Sequence, residues 1–159
     1  MYKKMILLLE ILLMTAIFCF SAQPADESTE TSSRFCILFS KLIYPDYASY
    51  EPEMQEIMTE SLTFVVRKTA HFTEYAVLGF LFYLYFQDRK HCFLRSVTAT
   101  GLYACTDELH QLFVPGRSGQ LRDVIIDTCG GICGALIAFT ILCILYYLRN
   151  HKTSEKKLL

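Results

Sequence analysis

Between Arg67 and Gly134 three apolar segments each carry ionisable side chains at one end, in RKTAHFTEYAVLG, TDELHQLFVPGRSGQLRD and DVIIDTCGGICG. Carboxylates, histidines and arginines beside hydrocarbon are expensive, and they are tolerated where they pair, face a bundle interior or serve a task. A chain built this way must turn its polar side chains towards one another and its apolar faces outward. Composition points the same way. Of the 159 residues 53% are hydrophobic and only 19% charged, too apolar for an ordinary soluble domain. A span needs about 20 apolar residues, so three or four would use about half of the chain. A formal net charge of −1 offers no basic face to nucleic acid, which is not expected as a partner.

The pattern predicts a single domain over residues 1–159, a small all-α integral membrane bundle. Its four transmembrane helices lie at about 5–20, 69–86, 92–113 and 124–148. The first follows Lys3 and Lys4 and also resembles a signal peptide, with Ser21 and Ala22 behind it. Its length and the absence of a clean small-x-small cleavage site favour a retained helix, and Glu10 fits neither reading well. The connection over 21–68 is acidic. Within it Phe35–Ile43 is too short to span and suits a surface-lying amphipathic helix. Pro45 and Asp46 make a turn, and Pro52 suits the start of a helix that continues through Arg67 into the second span. Pro115 and Gly116 end the third.

Lysines and arginines set the expected orientation. Lys3 and Lys4, Arg89 and Lys90, and the tail with Lys152, Lys156 and Lys157 fall on one side, the cytoplasmic one, with both termini. The connection and the loop from Pro115 to Arg122 face outward. Gly130 and Gly134 form a GxxxG pair, a spacing that brings helix backbones together. The seven cysteines are odd in number and scattered, so they read as small packing residues, not as a disulfide framework. Cys129 and Cys133, four apart, read as part of a close-packing stripe more readily than as metal ligands.

This topology puts the polar side chains at the outer ends of three helices. His71 and Glu74 share a face, as do Asp107, His110 and Gln111, and as do Asp123 and Asp127. Arg117 and Arg122 lie on the loop between. Such a set supplies a general acid or base in His71, Glu74, Asp107 or His110. It also supplies a substrate-holding group of Arg117, Glu108, Gln111, Arg122 and Asp127. A lipid-exposed rim over this pocket suits an amphiphile with a charged head. His71, His110 and flanking carboxylates are ligand types for a metal, but the HExxH spacing is absent and no cofactor is specified. The bland reading is an ion-paired network that only locks helices together, with Asp123 as a helix cap and Arg117 paired to Asp107 or Glu108.

RKTAHFTEYAVLG (67–79), DELHQLFVPGRS (107–118) and DVIIDTCG (123–130) resemble the VanZ-like family of bacterial membrane proteins. With the flanking spans these stretches cover most of the chain. The resemblance implies a small multi-span envelope protein, and it marks His71, Glu74, Asp107, Glu108, His110, Gln111, Arg117, Asp123 and Asp127 as motif positions. The family is named for a member associated with low-level teicoplanin resistance, so a role at the cell-wall surface is one expectation. The first functional reading is therefore a protein that binds, modifies or moves an amphiphilic, glycopeptide-like or cell-wall-related molecule at the outer surface, with enzyme and binder left open. The competing one is a structural or regulatory membrane subunit.

Overall fold

The computed structural model describes residues 2–44 and 46–155; Pro45, Lys156 and Lys157, which the sequence places in a turn and a basic tail, lie outside the described residues. Five α-helices make up the described chain: α1 (Tyr2–Ser21), α2 (Ala25–Ile43), α3 (Pro52–Phe86), α4 (Cys92–Gln111) and α5 (Leu121–Glu155). A short 3-10 turn at Tyr47–Ser49 precedes α3, and no strand occurs among the described residues. α1 and α5 are long and apolar enough to cross a membrane. The corresponding stretches of α3 and α4 are diluted by the polar side chains they carry.

Helix ends follow local chemistry. Pro52 opens α3 at its first turn, where its missing N–H costs nothing. α3 then runs unbroken for 35 residues, about 52 Å, well beyond the roughly 30 Å of a hydrocarbon core. The turn to α4 ends at His91, whose φ of 57° places it in the left-handed region that non-glycine residues rarely visit. α4 stops at Gln111, two residues before the expected end of the third span.

The connection is more ordered than expected. α2 begins at Ala25, ten residues before the apolar stretch that suggested it, with Asp26 and Glu27 in its first turn, where they suit the helix dipole. It packs along α3 and buries Cys36 and Ser40. The Tyr47 hydroxyl meets Thr59 Oγ1 at 2.8 Å, tying the turn between the two helices to α3.

α3 and α5 form the most extensive contact, and α4 packs against both. Glycine makes that approach possible. A Cβ on Gly130 would strike the carbonyl of Phe72, and one on Gly134 that of Ala76, both on α3. Gly79 on α3 in turn lies against the backbone of Gly131. The GxxxG pair thus faces α3, as its spacing suggests.

α1 lies against α3 and α4. At one end Lys3 Nζ pairs with Asp88 at 2.8 Å, which puts the start of α1 beside the α3–α4 turn. Further along, the Tyr103 hydroxyl donates to the Met14 carbonyl at 2.6 Å. At the far end Ser21 reaches α4. α1, α3, α4 and α5 therefore alternate up and down, with the basic segments Lys3–Lys4 and Arg89–Lys90 at the same end.

Burial is inverted relative to a water-soluble fold. α4 buries Ser96, Thr100, Ala104 and Asp107 while exposing Leu94, Leu102 and Leu109. α1 buries Glu10 and Ser21 while exposing Leu8, Leu12 and Phe20. Ile6, Ile17, Tyr75 and Leu78 are buried too, but the many large apolar side chains outside and the small or polar ones among the buried set suit a bundle whose solvent is lipid. The cysteines correct the packing expectation. Cys19, Cys105, Cys129 and Cys143 are exposed, Cys133 is half-buried, and only Cys36 is buried, so Cys129 and Cys133 form no close-packed stripe. Glycine needs no neighbour of that kind, because the contact is made by its own backbone.

Candidate functional site

The middle of α3, the end of α4 and the start of α5 meet at the end of the bundle opposite Lys3. His71, Asp107 and Asp127 each place one ligand-type atom within 4.8 Å of the other two. Asp127 is there because it lies one turn before Gly131, which packs on Thr100, so this face of α5 is wedged between α3 and α4. Asp107 is 2% exposed and Asp127 fully buried. Both oxygens of Asp127, one of Asp107 and the Nδ1 of His71 are buried with no hydrogen-bond partner among the described residues.

Asp107 is held by its other oxygen. Oδ2 accepts from Ser21 Oγ at 2.9 Å and from Gln111 Nε2 at 3.3 Å, and Gln111 also approaches Ser21 at 3.4 Å. Asp107 and Gln111, four apart, share the face of α4 that meets the end of α1. The buried hydroxyl of Tyr75 lies within electrostatic reach of Asp107 and Asp127.

Asp123 lies in the first turn of α5, where its charge suits the helix dipole, and it pairs with Lys68 Nζ at 2.6 Å. One expected pairing is corrected. Arg117 does not bridge to Asp107 or Glu108. Its guanidinium donates to the carbonyl of Gln23 (2.9 Å), just beyond α1, and to that of Phe20 (3.2 Å) in the last turn of α1, which also accepts from the Gln23 N–H. Glu108 instead accepts from the backbone N–H of Gln120 at 2.8 Å, just before α5 begins. It thereby anchors the loop, and Gly119 fits beneath because a Cβ there would lie 2.5 Å from the Glu108 carbonyl.

Five residues expected in the pocket line neither cavity at this end: Asp107, Glu108 and Asp127 are buried inside the bundle, and His110 and Arg122 point elsewhere. His110 stacks on Phe18 of α1, ring centroids 4.3 Å apart, and lines neither of the two cavities at this end. At i+3 from Asp107 it turns to the opposite flank from Gln111 at i+4. Arg122 is exposed and lies over the Phe64 ring at 5.3 Å, again outside both cavities.

The larger cavity, about 340 Å³, lies between α2, α3 and the α4–α5 loop, with Arg67, Lys68, Gln111, Arg117, Gln120 and Asp123 in its wall. A smaller one of about 150 Å³ adjoins it, lined by Phe20, Val66, Ala70, His71, Glu74 and the same two arginines, Arg67 and Arg117. Arg67 and Lys68 were not singled out from sequence, although they open the first polar stretch. Arg67 is half-buried and makes no hydrogen bond or ion pair among the described residues. Burial, with the Arg67 charge alongside, lowers the pKa of the Arg117 guanidinium from its ordinary value. Two neighbouring cations, one of them unpaired, form a setting for an anion.

Comparison with curated proteins and with solved structures finds no match. The family model described as VanZ/LLP1 matches residues 6–145, a range that takes in α1, the cavity-lining loop and all three polar stretches. The likeness noted in those stretches therefore extends through nearly the whole bundle, and the chain belongs to the VanZ/LLP1 family.

Proposed function

We propose that this protein crosses the membrane four times, through α1, the second half of α3, α4 and α5, and holds the anionic head of an amphiphile in the outer leaflet. The inverted burial of α4 supports the count: its outward face is leucine-rich although its mean hydropathy is low. α1 stays attached, because its last turn supplies Ser21 to Asp107 and the Phe20 carbonyl to Arg117, and Gln23 just beyond it supplies a second carbonyl. Both termini lie in the cytoplasm by the lysine and arginine bias.

The observation that carries the functional reading is the Arg67–Arg117 pair shared by the two cavities. The larger cavity is polar and roomy enough for a charged head. The smaller has Phe20, Val66 and Ala70 in its wall, an apolar path towards lipid. A phosphorylated or carboxylated cell-wall precursor, a glycopeptide and an anionic lipid all present this chemistry. A contribution to low-level teicoplanin resistance would be one consequence. His71 and Glu74 stand at the wall of the smaller cavity, where they could exchange protons with a bound head.

Mass spectrometry of molecules carried by the protein in native-lipid discs tests the reading. An anionic amphiphile should be enriched over bulk lipid, and its occupancy should fall at least about tenfold in Arg67→Gln, the loss of roughly 1.4 kcal/mol. Arg122→Gln, on the Phe64 ring, should change nothing. Equal occupancy in the wild type and Arg67→Gln would refute it. A purely structural network would give the same negative result.

A further inference from the structure

We propose that His71, Asp107 and Asp127 bind one first-row transition-metal dication of the zinc or manganese kind. The proposal stands whether or not an amphiphile enters the cavities above.

Each polar stretch contributes one ligand, and each comes from a different helix: His71 from α3, Asp107 from α4 and Asp127 from α5. Their ligand-type atoms lie no more than 4.8 Å apart. Three donors at about 2.1 Å from one ion lie roughly 3.4–3.6 Å apart, so each must move inward by up to roughly 0.7 Å, within the reach of rotamer adjustment. Each of the three residues also has a donor atom to spare: His71 Nδ1, Asp107 Oδ1 and both oxygens of Asp127 are buried without partners among the described residues. Asp107 is already oriented for this, since Ser21 and Gln111 occupy Oδ2 and leave Oδ1 free. Hydrogen bonds of that kind hold the ligand carboxylates of metal sites in place.

Charge supports the same conclusion. Glu74, Glu108 and Asp123 lie within electrostatic reach of Asp107 or Asp127. Of the cations nearby, Lys68 and Arg117 are engaged by Asp123 and by the Phe20 and Gln23 carbonyls, and Arg67 lines the smaller cavity. Each unpaired buried carboxylate costs several kcal/mol, and one dication offsets two of them. The imidazole nitrogen among the donors argues for zinc over calcium and magnesium, which take oxygen ligands, and the two carboxylates also admit manganese. Three protein ligands leave at least one coordination position for water or a substrate group. His71 also lines the smaller cavity, which gives an ion a route in.

The test is metal analysis of the full chain in native-lipid discs, followed by chelation and titration with Zn²⁺ or Mn²⁺. The wild type should hold one equivalent, lose it to chelator, regain it and melt at a higher temperature when loaded. Asp127→Asn and His71→Gln, with unchanged helical circular dichroism, should bind at least about tenfold more weakly. Co²⁺ titrated into the stripped wild type should give a visible ligand-field spectrum at one equivalent, a readout that survives any folding defect in the variants. A wild type that takes up none of the three ions stoichiometrically overturns the proposal. Undiminished binding in both variants overturns it too, because surface binding alone would behave that way.

Discussion

Gly134→Ala adds one methyl group where α5 crosses α3, and the structure leaves no room for it. Besides colliding with the Ala76 carbonyl oxygen, the new Cβ would lie 2.7 Å from the Ala76 carbonyl carbon and 3.0 Å from the Phe80 nitrogen. All three atoms are backbone, so no rotamer change relieves the clash, and the helices must separate. Overpacking costs about 1–3 kcal/mol, and this site belongs at the upper end because Gly130 and Gly79 share the contact. At roughly 1.4 kcal/mol per decade that is up to about 100-fold in the folding equilibrium. Gly101→Ala is the matched control. Its Cβ would meet only Thr128 side-chain atoms, at 3.4 and 3.7 Å. Inside a helix the same change is favourable by about 0.5–1 kcal/mol. Denaturant unfolding of both variants in one mild detergent, followed by circular dichroism, should thus shift their midpoints in opposite directions. A Gly134→Ala midpoint equal to or above that of Gly101→Ala would refute the close α3–α5 crossing.

Three further outcomes are expected. Ser21→Ala should destabilise the bundle by about 1.5–3 kcal/mol in the same unfolding assay, because it removes the shortest hydrogen bond to a buried carboxylate; Thr15→Ala, exposed on the same helix, should cost far less. Lys68→Met strands the partly buried Asp123, and its cost should fall between the roughly 1 kcal/mol of exposed pairs and the roughly 3–5 kcal/mol of buried ones, with Lys68→Met/Asp123→Asn recovering part of it. In a cysteine-free background, Ser118→Cys should label with a membrane-impermeant thiol reagent in intact cells and Arg89→Cys only after lysis; the reverse would invert the topology.

The positions of the helices were legible because apolar runs and proline or glycine breaks mark them directly. α3 begins at Pro52 and the GxxxG pair packs as its spacing implies, both consequences of backbone sterics that leave a trace in residue type. The first half of α2 was not legible. Its polar residues 25–34 read as a connection, and the helix is stabilised by packing of the whole element on α3, a tertiary contact with no local signal. At the site, His71, Asp107 and Asp127 converge because helical spacing and the glycine contact constrain them together. Partner choice was another matter. His110 and Arg122 have the right chemistry, but the rotation of α4 and the exit of the loop turn them onto Phe18 and Phe64. Arg67 and Lys68 were overlooked because charges at a helix–membrane boundary are usually solvated. Ser21 was read as a small residue near a cleavage point, and only the folded bundle brings it to Asp107.

That last contact places the whole account on one helix. The final turns of α1 meet Asp107 through Ser21, receive Arg117 at Phe20, stack Phe18 on His110 and accept Tyr103 at Met14, and Gln23 just beyond them also receives Arg117. Without α1 neither the chamber nor the orientation of Asp107 survives. Intact mass spectrometry of the protein, isolated from its native membrane through a C-terminal tag, measures this directly. The account predicts a chain that still carries residues 2–21, and Ser21→Cys with Asp107→Cys should then form a bond between α1 and α4 on oxidation. A mature chain that begins near Ala22 or Gln23 would contradict it.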